Sequence, residues 1–315
     1  MKKITIIIFI ALISLLLFSC GKDVKPIVKS TETFSYTRIQ TTEREIEIPV
    51  VIEGNWEISG RKATYIGTSA KAVVPNRVRE VLVRNNTTLE EIHISKDVED
   101  VWGGIRGENL KKITIDNENR HFKLIDGILY NSDVTKIASY PFDHPAKKFV
   151  VPETIHETDV RGGKNVEEII LHSKVRLYDG DEFLDCPVNL KKFTVDKNNP
   201  YYSDIDGVLF NKKQTTLLLY PPGRTGKKYN VPNTVIKIAD FSFYTLYDYT
   251  INVGKKHLKT IVMPDNIKQF ANLSNDYISS RKDVRNMHSH FTFVVKENST
   301  THKTLAEFGL NIEFK

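Results

Sequence analysis

Cysteine is almost absent from this chain. The 315 residues hold two, Cys20 and Cys186, which excludes a scaffold stapled by several disulfides. Long apolar runs are missing too, except at the start. Ile4 to Phe18 carries no charge, and at roughly 15 residues it is short for a spanning helix, which needs about 20. There is no phosphate-cradling glycine loop and no serine elbow, so the common nucleotide-binding and hydrolase signatures are lacking. Nor is there a basic run or an aromatic-basic motif, and the net charge of +6 is mild and dispersed. Nucleic acid is therefore not an expected partner.

What is present begins with an address. Lys2 and Lys3 precede the apolar run, the layout of a secretory signal peptide. Leu17-Phe18-Ser19-Cys20 resembles a bacterial lipobox, which implies that residues 1–19 are removed and that Cys20 becomes a lipidated first residue. Acyl chains, at about 0.8 kcal/mol per CH₂, would then hold the protein to a membrane. Gly21, not Asp, follows the cysteine; in Gram-negative lipoproteins this implies the outer membrane. Residues 20–40 are polar and aperiodic, a flexible tether. Cys186 is then the one thiol left for the folded part, which must be held by packing alone.

Most informative is a duplication. Residues 110–157 and 190–237 align without gaps with 19 identities in 48 positions. NLKKITID matches NLKKFTVD, IDGILYN matches IDGVLFN, and Tyr140-Pro141 matches Tyr220-Pro221. Asp-Gly between two apolar runs is the strongest short-range signal for a tight hairpin turn. Beneath these long copies lies a shorter unit, Leu-x-x-Ile-x-Ile, starting at Leu89, Leu110, Val166, Leu190 and Leu258. A second half, Pro-x-x-Val-x-x-Ile/Val, recurs at Pro75, Pro152 and Pro232. Alternating aliphatics make each half a short strand with one buried face. Proline separates the halves, because it cannot donate to a ladder. A unit this small cannot bury its own face and must stack on its neighbours.

These residues resemble the BspA-like leucine-rich repeats of secreted and surface proteins of Gram-negative (Bacteroides-type) bacteria, including the Phe-x-x-Cys element at Phe183 to Cys186. The resemblance implies a mainly β solenoid of short strands with inserted β-hairpins, a few short helical turns and a strand-helix-strand cap at the C-terminus. The expected organisation is a signal peptide over 1–19, the tether over 20–40, an N-terminal β cap over 41–70, repeats over 71–285 with hairpin-containing copies at 110–157 and 190–237, and a cap over 286–315. Trp56 is expected to fill the gap beneath the first repeat, and Thr300 to open a helix capped by Asn298 or Ser299 and ended by Gly309. Leu110, Ile113, Leu190, Phe183, Cys186 and Phe243 are the expected repeat core.

Chemistry-bearing residues have bland readings in this frame. The repeat register puts Cys186 on the inward side of a helical turn, where cysteine acts as a small hydrophobe. Asp126 and Asp206 are turn residues; an acid pair a whole repeat apart does not face one bond. The oxygen-rich stretch Asp196 to Asp204 fails calcium spacing at Pro200. His288 and His290 share a strand face, but no carboxylate or thiol lies near them in sequence, so they read as surface histidines. Tyr244, Tyr247 and Tyr249 are left unclaimed by the repeat register. They are candidate ligand contacts, with packing against the adjoining hairpin as the alternative.

The expectation is a monomeric, lipid-anchored binding protein without catalytic residues, cofactor or metal, engaged in adhesion to, or recognition of, a host or bacterial surface protein or glycan. The alternatives are an accessory factor or enzyme of polysaccharide handling, or a structural envelope protein. Recognition is expected where the two long copies differ: Lys212-Lys213 against Ser132-Asp133, and Pro222-Gly223-Arg224 against Phe142-Asp143-His144.

Overall fold

The computed structural model describes residues 35–41, 44–155, 162–176, 186–239, 242–243, 257–270 and 288–315. The chain is mainly β, a solenoid of about ten turns with a single short helix among the described residues. It starts with an antiparallel meander, β1 (Ser35–Thr41), β2 (Arg44–Glu53), β3 (Trp56–Ser59) and β4 (Lys62–Tyr65). The first strand thus begins within the stretch read as tether. Trp56 closes this end, donating from Nε1 to the Val73 carbonyl at 3.0 Å and meeting Tyr65 edge-on at 5.1 Å.

The turns of the solenoid contribute strands to two faces, and Pro75 and Pro232 lie where the chain passes from the first to the second, since a residue without an N–H cannot donate to a ladder. The first face is built from β5 (Lys71–Val73), β7 (Glu91–Ile94) and β9 (Lys112–Ile115), paired in parallel. On the second face β4 pairs in parallel with β6 (Glu80–Asn86), and β6 with β8 (Asp100–Gly107). The register places Ala72, Ile92 and Ile113 side by side, and all three are buried. The alternate residues of the same strands face outward.

After β9 the first insertion forms β10 (Phe122–Ile125), β11 (Ile128–Asn131) and β12 (Ile137–Ser139), all antiparallel. The first face resumes with β13 (Lys148–Val150), β14 (Glu168–Leu171) and β15 (Lys192–Val195). The second insertion repeats the first as β16 (Tyr202–Ile205), β17 (Val208–Asn211) and β18 (Thr216–Leu219). Beyond it, the first face continues as β19 (Lys228–Asn230), β21 (Thr260–Val262), β23 (Thr292–Val295) and β24 (Ile312–Phe314). The second face continues from β18 through β20 (Lys237–Ile238) to β22 (Gln269–Phe270). Helix α1 (Thr300–Ala306) lies between β23 and β24, with Ser299 as N-cap accepting from the His302 N–H. Gly309 follows at φ 64°, the left-handed stop of a helix end.

The insertions divide the core. Three clusters of buried side chains succeed one another along the axis, and the strands of the inserted hairpins border two of them at once. Leu129 of β11 packs into the first cluster, while its neighbours Ile128 and Tyr130 pack into the second. Leu209 of β17 belongs to the second cluster, and Val208 and Phe210 to the third. A strand buried on both faces needs a continuous apolar run instead of an alternating one, which is why ILY and VLF stand where the outer strands alternate. The insertions are bulkheads across the solenoid.

Candidate functional site

Each bulkhead is locked by the same polar residues. The hairpin turn is Asp126-Gly127 in the first copy and Asp206-Gly207 in the second, with φ of 50° and 78°, and 49° and 79°. Positive φ at both central residues defines the type I′ turn that matches strand twist. Ahead of each hairpin stands a buried asparagine. Asn119 donates to the Ser95 and Val98 carbonyls and accepts from the N–H groups of His121 and Phe122. Asn199 repeats this with the carbonyls of His172 and Val175 and the N–H groups of Tyr201 and Tyr202. Asn131 and Asn211 close the next turn in each copy, bonding Thr135 and Lys136, and Thr215 and Thr216. The oxygen-rich stretch around Asp196 thus spends its donors and acceptors on backbone.

The copies part at residues 144 and 224. His144 Nε2 bonds the Asp126 carbonyl at 2.8 Å, and Arg224 Nη1 donates to the equivalent Asp206 carbonyl. Arg224 also lies 5.5 Å from the Tyr220 ring centroid and bonds its hydroxyl. His144 instead meets Tyr140 edge-on at 5.3 Å, and the Tyr140 hydroxyl is buried with no hydrogen-bond partner among the described residues. Burial pushes that phenol well above its ordinary value, and it pushes Tyr130, which also feels the Asp126 charge, up to about 12.

Arg224 opens onto a cleft of about 330 Å³ lined by Lys147, Lys148, Lys191, Lys192, Glu167, Glu168 and Asp206 as well. Its floor is the start of β13, β14 and β15, where successive rungs carry Lys-Lys, Glu-Glu and Lys-Lys. Glu167 bridges Lys147 and Lys191 at 3.2 and 2.8 Å. Glu168 bridges Lys148 and Lys192 at 3.1 and 3.0 Å and accepts from the Thr194 hydroxyl at 2.7 Å. The Glu168 side chain is 9% exposed. The Thr194 bond, aided by the two lysines and opposed by burial, lowers its carboxyl to about 2. The second hairpin turn forms the far wall: Phe193 N–H donates to the Gly207 carbonyl at 2.9 Å, and a Cβ on Gly207 would fall 2.4 Å from Lys192 Cβ. Only glycine permits that approach.

Two further cavities open elsewhere. One of about 490 Å³ lies in the seam between β8 and β12, where Ile105 N–H donates to the Ser139 hydroxyl instead of a ladder carbonyl. Another, of about 410 Å³, is lined by Arg61, Arg77, Arg79 and Lys96 and shares Glu99 and His121 with the seam.

Of the residues singled out in the sequence, Leu110 and Ile113 lie in the first core cluster, Leu190 and Cys186 in the second and Phe243 in the third. Cys186 is 4% exposed, but its backbone is not helical. Cys20, Phe183, Tyr244, Tyr247 and Tyr249 lie outside the described residues. The surface reading of the histidines is corrected at His288, which is 1% exposed beside Phe270 and Phe291. Nor do His288 and His290 share a strand face, since both precede β23. Sequence reading missed the lysine pairs and the buried asparagines. The signals were there: Lys-Lys recurs at 111, 147, 191 and 227, and Asp-x-x-Asn at 116 and 196.

No family model matches the chain, and no curated protein matches it. Among solved structures it is similar to a leucine-rich repeat protein from Eubacterium ventriosum, at 17% identity and a TM-score of 0.35 over 80% of this chain and 70% of that one. It is also similar to a leucine-rich cell surface protein from Faecalibacterium prausnitzii, at 17% and 0.35 over 71% and 73%. A third is the pneumococcal vaccine antigen PcpA, at 13% and 0.27 over 89% and 98%. These likenesses are too distant to transfer a ligand or an activity.

Proposed function

We propose that this is an exported recognition protein, a binding module and not a catalyst, held to the outer membrane through a lipid on Cys20 and engaging a surface protein or glycan as a monomer. One observation carries the reading. Within each run of parallel rungs the outward side chains stand in register, so that residues from three or four turns form a composite face, and on one such run a cleft opens. Such a face suits binding by many modest contacts. Tyr244, Tyr247 and Tyr249 are proposed as additional contacts.

The test is to screen the chain from Cys20 onward against matrix proteins and a glycan array. Specific capture of one or more ligands is expected; silence in both screens would overturn the recognition reading. The anchor is tested by itself: Cys20→Ala is expected to leave the membrane fraction, and its retention there would refute the lipid assignment.

A further inference from the structure

We propose that the cleft between β13–β15 and the second hairpin turn binds a linear acidic polysaccharide, laid along the solenoid axis and held through its carboxylate or sulfate groups. The proposal rests on the recognition reading above and names the ligand class for one part of its surface.

Charge comes first. Five cations and three carboxylates line the cleft, and beyond the hairpin turn that walls it the first face resumes with Lys227 and Lys228, both exposed. No described residue pairs with either of their side chains. The glutamates do not cancel the lysines; they arrange them. Each carboxylate lies between two ammonium groups on neighbouring rungs, which damps their mutual repulsion and still leaves an excess of cation donors facing solvent. An ammonium group has three donors, so a lysine bonded to one glutamate retains capacity for an anion.

Spacing comes second. Neighbouring rungs are about 4.8 Å apart, so the backbones of Lys148 and Lys192 stand roughly 10 Å apart along the axis, while their ammonium groups converge on the Glu168 carboxylate between them. The cations form a file running with the stack, which fits a strand of ligand better than a flat lipid surface.

Arg224 supplies the third feature. A guanidinium matches a carboxylate or sulfate with two parallel N–H bonds. This one is already ordered by the Asp206 carbonyl and the Tyr220 ring, so little freedom remains to be lost on binding. The first insertion has His144 at the same place, bonded to its own turn through Nε2 and accepting the Ala146 N–H through Nδ1. Only the second insertion places a guanidinium at this turn.

The experiment measures binding of the chain from Cys20 onward to oligogalacturonides and to dextran sulfate, with neutral dextran and anionic phospholipid vesicles as comparison arms. Binding to an acidic chain is expected, weakening as salt rises, with none to neutral dextran. Arg224→Gln with Lys227→Gln and Lys228→Gln should weaken it by about tenfold or more, a loss equivalent to 1.4 kcal/mol. Because Arg224 also steadies a turn, the Lys227→Gln, Lys228→Gln pair is measured alone and should still weaken binding several-fold. A charge-matched control, Lys197→Gln with Lys268→Gln and Lys303→Gln, removes three exposed lysines elsewhere and should leave affinity within about twofold. Equal loss in the control would overturn the proposal in favour of attraction to net charge. Cleft-dependent binding to vesicles without binding to either acidic chain would overturn it in favour of lipid. Absence of acidic-chain binding, with a protein or neutral glycan captured in the screens, would overturn this proposal alone and leave the recognition reading intact.

Discussion

The two inserted hairpins are the same machine built twice, with one cation changed. Both carry an Asp-Gly turn of type I′ geometry, a buried asparagine ahead of the hairpin and an asparagine that closes the following turn. Both separate one apolar core from the next. The difference sits on the turn carbonyl, held by an imidazole in one copy and a guanidinium in the other. Around it the phenols are redistributed: Tyr130 and Phe149 in the first copy answer to Phe210 and Tyr229 in the second. The lesson is that identity between copies marks what any bulkhead requires. Divergence marks either an exchange of equivalent supports or a new surface, and at Arg224 it is both.

The shared parts should fail alike. Asn199→Ala removes two donors and one doubly used acceptor at a site with no solvent access. Four hydrogen bonds to backbone groups are lost, though the His172 carbonyl keeps the Val175 N–H, and at about 1 kcal/mol each the loss costs up to about 4 kcal/mol. Asn119→Ala should cost the same within about 1 kcal/mol, since its four bonds are equivalent. Stability in a stacked solenoid is local, so the measurement is native-state hydrogen exchange at each hairpin. A large effect in one copy and none in the other would break the equivalence.

The turn glycines should separate the copies. Both adopt positive φ, a strain of about 1–2 kcal/mol for alanine. At Gly127 a new Cβ would meet only the end of the His144 ring, at 3.0 Å, and that ring can swing away. At Gly207 it would meet Lys192 Cβ at 2.4 Å and Lys192 Cα at 3.1 Å, part of a rung that cannot move without its ladder. Gly207→Ala should therefore cost about 3 kcal/mol and Gly127→Ala about 1 kcal/mol, read by exchange at β17 and at β11. Equal costs would mean that the second turn is not pressed against the first face.

The hairpins, their turns and the stacked strands were legible because they are local: Asp-Gly sets a turn, alternation sets a half-buried strand, and duplication marks the unit. The partition of the core was not read, although ILY and VLF break the alternation. Burial of a strand on both faces depends on what stacks above and below it, which no short window contains. The cleft was read only as a difference at residue 224. Its lysines come from rungs about 44 residues apart, 147 and 191, and are brought together by parallel register alone. His288 was misread because its burial is set by Phe270 and Phe293, distant or across a strand start, and not by its polar neighbour Ser289.

The smallest expected effects have opposite signs, which makes them the most discriminating. Tyr140 and Tyr220 occupy equivalent places and are both buried. The Tyr220 hydroxyl has Arg224, whose charge and hydrogen bond pull its proton affinity back against the upward push of burial. The Tyr140 hydroxyl has no such partner among the described residues, only the edge of His144 and Phe149. Deleting a satisfied buried hydroxyl loses a bond of about 1 kcal/mol, whereas deleting an unsatisfied one removes a desolvation cost of similar size. Tyr220→Phe should thus lower local stability by about 1 kcal/mol, and Tyr140→Phe should raise it by up to about 1 kcal/mol. His144→Arg, which recreates the second copy's support in the first, should abolish the gain from Tyr140→Phe in a double-mutant cycle. If Tyr140→Phe is destabilising in the parent chain, the hydroxyl has a partner after all, and the difference between the two bulkheads reduces to a change of cation.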